Sequence, residues 1–243
     1  MIRIGTAGWS IPREAAPAFP GSGTHRERYA AVLNAAEINS TFYRSHRPAT
    51  YQRWAASVPA DFAFAVKIPK AISHTARLAG AAPLLDAFVR EIAGLGDALR
   101  VVLLQLPPSF GYHEPTALTF FTALRGRLSD AVQIACEPRH ASWFAADAEA
   151  ALADRRVARV AADPAIAPGG DRPGGWTGLR YRRLHGAPRT YYSPYDAADL
   201  AALAMSFAKE DGDQASSWCI FDNTASGAAA PNAVALRSLL GSS

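Results

Sequence analysis

Eight short apolar runs, each turning polar or meeting Gly or Pro at its C-terminal edge, recur along the 243 residues. They are Ile2 to Gly5, Ala36 to Asn39, Phe62 to Ile68, Val101 to Leu106, Val132 to Glu137, Val157 to Ala162, Leu179 to Leu184 and Trp218 to Phe221. Helix-like segments follow seven of them: Arg26 to Ala35, Ala49 to Ser57, Ala81 to Leu95, Pro115 to Leu128, Ala145 to Arg155, Ala197 to Lys209 and Asn232 to Leu240. Strand and helix in alternation demand a parallel sheet, because parallel neighbours need a crossover between them. The exception is the sixth connection, Asp163-Pro-Ala-Ile-Ala-Pro-Gly-Gly-Asp-Arg-Pro-Gly-Gly175, which holds too much Pro and Gly for a helix and reads as a loop.

The expected fold is therefore α/β, a single (β/α)₈ TIM-type barrel spanning residues 1–243, with the helix between strands six and seven replaced by a loop. A doubly wound open sheet is the alternative, but no Gly-rich phosphate loop follows the first strand. With 49% hydrophobic and 19% charged residues, the chain can bury a large core. Twenty-five basic against 21 acidic residues give only a mild cationic excess, compatible with an anionic ligand and short of a nucleic-acid surface. Cys136 and Cys219 lie far apart in apolar runs, without metal-ligand spacing, and read as buried free thiols. The chain opens Met1-Ile-Arg-Ile-Gly straight into a strand, and no apolar run reaches membrane-spanning length, so the expected location is the cytoplasm with no membrane contact.

Strand parity sharpens the picture. Side chains alternate between barrel interior and helix layer. In the third run Phe62, Phe64, Val66 and Ile68 form the apolar parity and leave Ala63, Ala65 and Lys67 facing inward. The fifth run turns Glu137 and Arg139 inward in the same way, the second Glu37, Asn39 and Thr41, the fourth Gln105. Tyr181, Arg183 and His185 share one side of the seventh run, although Arg180 and Arg182 would then point outward and have to snorkel between helices. Asp163 shares parity with Arg159 and Ala161; the facing of Asp222 and Asn223 stays open.

Several blocks in combination resemble a known family. They are Gly5-Thr-Ala-Gly-Trp9, Glu37-Ile-Asn-Ser-Thr-Phe-Tyr43, Phe64-Ala-Val-Lys67, Leu104-Gln-Leu-Pro-Pro108, Glu137-Pro-Arg-His-Ala-Ser-Trp143, Tyr181-Arg-Arg-Leu-His-Gly186, and Phe221-Asp-Asn223 with Pro231-Asn-Ala233. The resemblance is to domain of unknown function 72, the YecE-like family, over essentially the whole chain. It implies a (β/α)₈ barrel with polar residues at the strand ends, and it brings no established reaction. This sequence departs from the family pattern in a short first loop, Ile11 to Thr24, and in Asp222 where Asn is usual.

Carboxylates, cations and an imidazole gathered at one end of a barrel suit an enzyme acting on a small phosphate- or carboxylate-bearing metabolite by hydrolysis or isomerisation. On this reading Glu37, Lys67, Glu137 and His185 are the catalytic candidates, with either Glu as base, His185 as proton donor, and Lys67 neutralising an oxyanion or forming a Schiff base. Asn39, Tyr43, Gln105, Arg139, Trp143, Arg183 and Asn223 are the substrate-binding candidates, the two arginines as bidentate anion donors. No metal or cofactor is expected. One alternative is a Mn, Zn or Mg site built from Glu137, Asp163, His185 and Asp222, which the nearby cations oppose. Another is a nucleic-acid-binding module stacking on Trp9, Tyr43, Trp143, Tyr191 and Tyr192, for which a long basic groove is lacking. The plain alternative is an ion-pair network in which these groups satisfy one another.

Overall fold

Ala30 ends a helix and Ala35 opens a barrel strand five residues later, so the connection between them is short. In the computed structural model, residues 2–210 and 215–241 are described, and Met1 lies outside them. Among these residues ten strands form one sheet: β1 (Ile2–Ala7), β2 (Ala35–Ile38), β3 (Ala63–Lys67), β4 (Leu99–Gln105), β5 (Gln133–Glu137), β6 (Val157–Arg159), β7 (Ala161–Asp163), β8 (Gly174–Gly175), β9 (Leu179–Leu184) and β10 (Ser216–Phe221). Among the described residues seven α-helices surround them: α1 (His25–Ala30), α2 (Pro48–Ala56), α3 (Ala82–Ile92), α4 (Glu114–Arg125), α5 (Ala146–Asp154), α6 (Ala197–Ala208) and α7 (Ala229–Gly241).

The strand order is β7-β9-β10-β1-β2-β3-β4-β5-β6-β8, parallel throughout except at β8. β6 and β7 are halves of the sixth expected run, divided at Val160. The first half pairs with β5 and the second with β9, so one stretch of chain joins both ends of the sheet and nearly closes the barrel. Below that junction the two-residue β8 lies antiparallel on β6, Ala158 opposite Gly175. Between β7 and β9 there is no helix among the described residues. In its absence a cavity of about 540 Å³ opens outside the barrel between Asp163, Arg172, Arg182, Tyr195 and α6.

Helix ends follow local chemistry. Thr24 caps α1 by accepting the Glu27 amide while Glu27 accepts the Thr24 amide, a reciprocal capping box. Asp196 and Asp199 do the same for α6. α1 stops at Ala30, short of the expected Ala35, because Ala35 is committed to pairing with Gly5 and Ala63. The approach there is close: a Cβ on Gly5 would sit 2.0 Å from the Ala35 carbonyl oxygen, so only glycine fits. α3 likewise ends at Ile92 and tightens into a 3₁₀ stretch over Ala93–Ala98, where Gly96 takes a φ of 53°.

Two apolar layers result, divided by parity as expected. Phe64, Val66, Val102, Leu104, Ile134, Cys136 and Cys219 pack outward beneath the helices. Inside the barrel, Ala35, Ala63, Ala65, Ala135 and Ala158 line one half. Tyr181 and Trp218, stacked at 5.7 Å, fill the space those small residues leave. Both cysteines are free and buried, and burial pushes the Cys219 thiol up to about 12. The outward arginines find a partner rather than open solvent: Arg182 lies over the Phe207 ring and, with Arg180, meets Glu210 just past α6.

Candidate functional site

Directly above the apolar filling, the next inward position of several strands is polar. β2 supplies Glu37, β3 Lys67, β4 Gln105, β5 Glu137 and β9 Arg183; His185 follows β9 and Asp222 follows β10. Arg183 is fully buried at the centre and serves three carboxylates. Its Nε and Nη2 donate to Glu37 at 3.1 and 2.7 Å, Nη2 also to Asp222 at 2.8 Å, and Nη1 to Glu137. Tyr181 adds its hydroxyl to Glu37 at 2.9 Å, and Gln105 its amide to Glu137 at 2.9 Å. Every carboxylate oxygen of Glu37 and Glu137 is thereby engaged, which is the condition for burying such charges.

His185 bridges the other side. Nδ1 meets Asp222 at 3.0 Å and Nε2 meets Glu137 at 3.1 Å, an arrangement that requires both ring nitrogens to donate. Burial disfavours the charged ring, but Glu137 and the two carboxylate hydrogen bonds outweigh it and raise the His185 pKa. Burial likewise opposes ionisation of Glu137 and Asp222, and Arg183 with His185 reverses that effect, holding both below the usual carboxylate range. The signs fix a pH window. A raised His185 contributes stability in full below its unfolded value of about 6.5 and loses it as pH climbs through the folded value. Depressed Glu137 and Asp222 contribute above about pH 4 and lose it on acidification. The urea midpoint is accordingly expected to be highest between about pH 5 and 6.5, and the gap between the wild type and His185→Asn to shrink as pH rises. A gap that widens with pH would mean a neutral His185.

Lys67 stands apart. It is 8% exposed, yet among the described residues its ammonium makes no hydrogen bond or ion pair. Its one close favourable contact is the face of Phe42, 4.5 Å from Nζ. Burial and then Arg183 pull the Lys67 pKa down against the pull of Glu37, Glu137 and Asp222. Its backbone is fixed on both sides: Thr41 Oγ1 donates to the Lys67 carbonyl at 2.6 Å, and Ile68 N donates to Leu103 at 2.8 Å. Close by, His74 packs edge-on to Phe42 at 5.0 Å. Burial first, then Lys67, Lys70 and Arg139, depress the His74 pKa, so three cations share the field of one ring. Arg139 is half-buried and, like Lys67, unpaired among the described residues.

The structure thus gathers Glu37, Lys67, Gln105, Glu137, Arg183, His185 and Asp222, while the remaining candidates fall elsewhere. Trp143 is fully buried, donates Nε1–H to the Phe110 carbonyl at 3.0 Å and packs edge-on to Tyr112; it belongs to the core. Asn223 is also fully buried and ties the end of β10 to Ser193 and Asn232, away from the barrel mouth. Tyr43 is 83% exposed on the rim beside Arg44 and Lys70. Asn39 is half-buried and leaves a buried side-chain oxygen unpartnered. Asp163 shares register with outward-facing Leu184 and lines the outer cavity, so it does not join Glu137, His185 and Asp222. Among the described residues no set of three or more His, Cys, Asp or Glu is arranged to hold a metal ion. Trp9 packs against Trp54 and Phe64, and Tyr191 against His185.

Phe42 and His74 join this cluster without a signal in the sequence, whereas Tyr181, two residues before Arg183, shares its parity with Arg183 and His185. Phe42 and His74 come from a 3₁₀ turn and a π turn that carry no periodic signature.

Among solved structures, a DUF72 family protein of Enterococcus faecalis V583 superposes with a TM-score of 0.81 at 22% identity, covering 99% of this chain and 96% of that one. Another from Thermotoga maritima MSB8 gives 0.80 at 23% identity, covering 99% of each. At such identity the likeness speaks for the fold. The UPF0759 protein YecE of Escherichia coli K12 is 34% identical over 146 residues, 60% of this chain and 51% of that protein, so the match spans about half the length of the curated relative. The model of the family described as protein of unknown function DUF72 matches residues 3–243, nearly the whole barrel with its polar mouth, and the chain belongs to that family.

Proposed function

We propose that the protein is an enzyme that takes a small anionic metabolite into the C-terminal mouth of the barrel and acts on it by acid/base chemistry. The observation that carries this reading is Lys67. Three carboxylates lie in its layer, all engaged by Arg183, His185, Tyr181 and Gln105, and the largely buried lysine keeps an ammonium that no protein group bonds and that still reaches solvent. A cation held on a stiff strand end at the mouth of a barrel, bonded to no protein group and open to solvent at its tip, is free to take an anionic ligand. Arg139, half-buried and equally unpaired, offers a second, bidentate contact for a phosphate or carboxylate. Glu37 and Arg183 then act as positioning residues, since their hydrogen-bonding capacity is spent on each other and their neighbours. The chain Glu137–His185–Asp222 supplies the groups through which a proton is held or passed.

Phosphate, sulfate and short carboxylates are expected to raise the melting temperature, because a ligand bound only to the native state stabilises by RT ln(1 + [L]/Kd), about 1.4 kcal/mol at ten times Kd. In Lys67→Met that rise should vanish. A full rise retained in this variant would place the anion elsewhere and defeat the reading.

A further inference from the structure

We infer that the metabolite received at the mouth is a short carbonyl compound bearing an acid group, such as an oxo acid, and that Lys67 captures its carbonyl carbon as an imine. This rests on the reading of the mouth as the binding site and adds the reacting atom. An amine becomes a nucleophile by losing its proton, and two things on a protein prevent that: an anionic partner and free hydration. Lys67 has neither. All three carboxylates of its layer are committed to other donors, and only 8% of its surface reaches solvent. Burial and then the Arg183 guanidinium favour the neutral amine and outweigh the opposing pull of Glu37, Glu137 and Asp222. The Phe42 face closes one side against water, and the Lys67 backbone, pinned by Thr41 and by the Ile68–Leu103 bond, presents the amine from a rigid strand end. Arg139 and Lys70, whose charges reach the same His74 ring as that of Lys67, are the cations for the acid group.

The step balances without an external reagent. The Lys67 Nζ lone pair adds to the carbonyl carbon as the C=O electron pair moves to oxygen. A proton passes from nitrogen to that oxygen, giving a carbinolamine. Protonation of its hydroxyl and loss of water leave the C=N bond, so amine plus carbonyl gives imine plus water. The His185–Glu137 pair lies in the same polar layer to lend and recover the proton.

The chain contains only three lysines, Lys67, Lys70 and Lys209, and the last two are exposed. Incubation of the full chain with glyoxylate and borohydride, which reduces an imine to a stable secondary amine, followed by peptide mass spectrometry, reads out each site. Lys67 is expected to be labelled severalfold faster than Lys70 or Lys209 at pH 7. Labelling at Lys67 equal to or slower than at the exposed lysines overturns the inference. Lys67→Arg, which keeps the charge without the primary amine, should still be stabilised by sulfate and should lose the fast adduct. Sulfate stabilisation through Lys67 with no adduct there would overturn the imine and leave the anion site standing. Fast labelling of Lys67 without any stabilisation by sulfate or phosphate would uphold the imine and overturn the anion site.

Discussion

Replacing Arg183 with Met is expected to lower the unfolding free energy by about 3–5 kcal/mol, the usual cost of breaking a buried ion pair from one side. A molecule of ordinary stability, at about 5–15 kcal/mol, would be left marginal. Arg183 is wholly buried and holds Glu37, Glu137 and Asp222 together, so its loss strands three carboxylates facing one another in the barrel. The pH dependence of the loss separates charge from packing. Stranded carboxylates resist ionisation, so the deficit measured from urea denaturation should shrink as pH falls toward about 4.5, where they take up protons. A deficit independent of pH would mean that volume rather than charge holds the centre of the barrel. Arg183→Lys keeps one charge and loses the fork that reaches three partners, and should fall between the two.

Trp143→Ala is expected to cost a similar amount, about 3–5 kcal/mol, through cavity formation and the loss of its hydrogen bond to Phe110. Trp143→Phe, which keeps most of the volume, should cost no more than about 1–2 kcal/mol. Thermal melts with and without sulfate distinguish this from a role in binding. If Trp143 is core, the melting temperature drops while the sulfate-dependent rise persists. A rise lost with the melting temperature unchanged would return Trp143 to the substrate surface.

What the chain reveals directly is the strand interior. Within a barrel strand the period is two, so Phe64 and Val66 on one parity fix Ala65 and Lys67 on the other, and the same count turns Glu137 and Arg183 inward. Arg180 and Arg182 weakened that count in β9. The structure resolves the conflict with Glu210, which comes from beyond α6 and gives both an outward partner. Past the strand ends the period no longer applies. Trp143 and Asn223 sit in blocks as distinctive as those around Glu137 and Asp222, yet a 3₁₀ turn tucks Trp143 under Phe110 and the turn after β10 sends Asn223 toward α7. Asp163 is a third case: it lies outward because β7 pairs in register with β9, a partner 21 residues away along the chain (184 − 163).

By itself, then, the sequence determined the order of the eight main strand runs and the seven helices, the sixth crossover without a helix and the inward parity of Glu37, Lys67, Gln105, Glu137 and Arg183, since all of these follow from patterns a few residues long. Only the tertiary structure decided how those charges are shared. The fork of Arg183 reaches Glu37, 146 residues away, and Glu137, 46 residues away, before any solvent or ligand can. Lys67 is left over because a guanidinium can bond three carboxylates at once and an imidazolium two, so the cluster closes without it. Which of several cations goes unpaired depends on distances between strands that are far apart in the chain, and no local pattern carries that information.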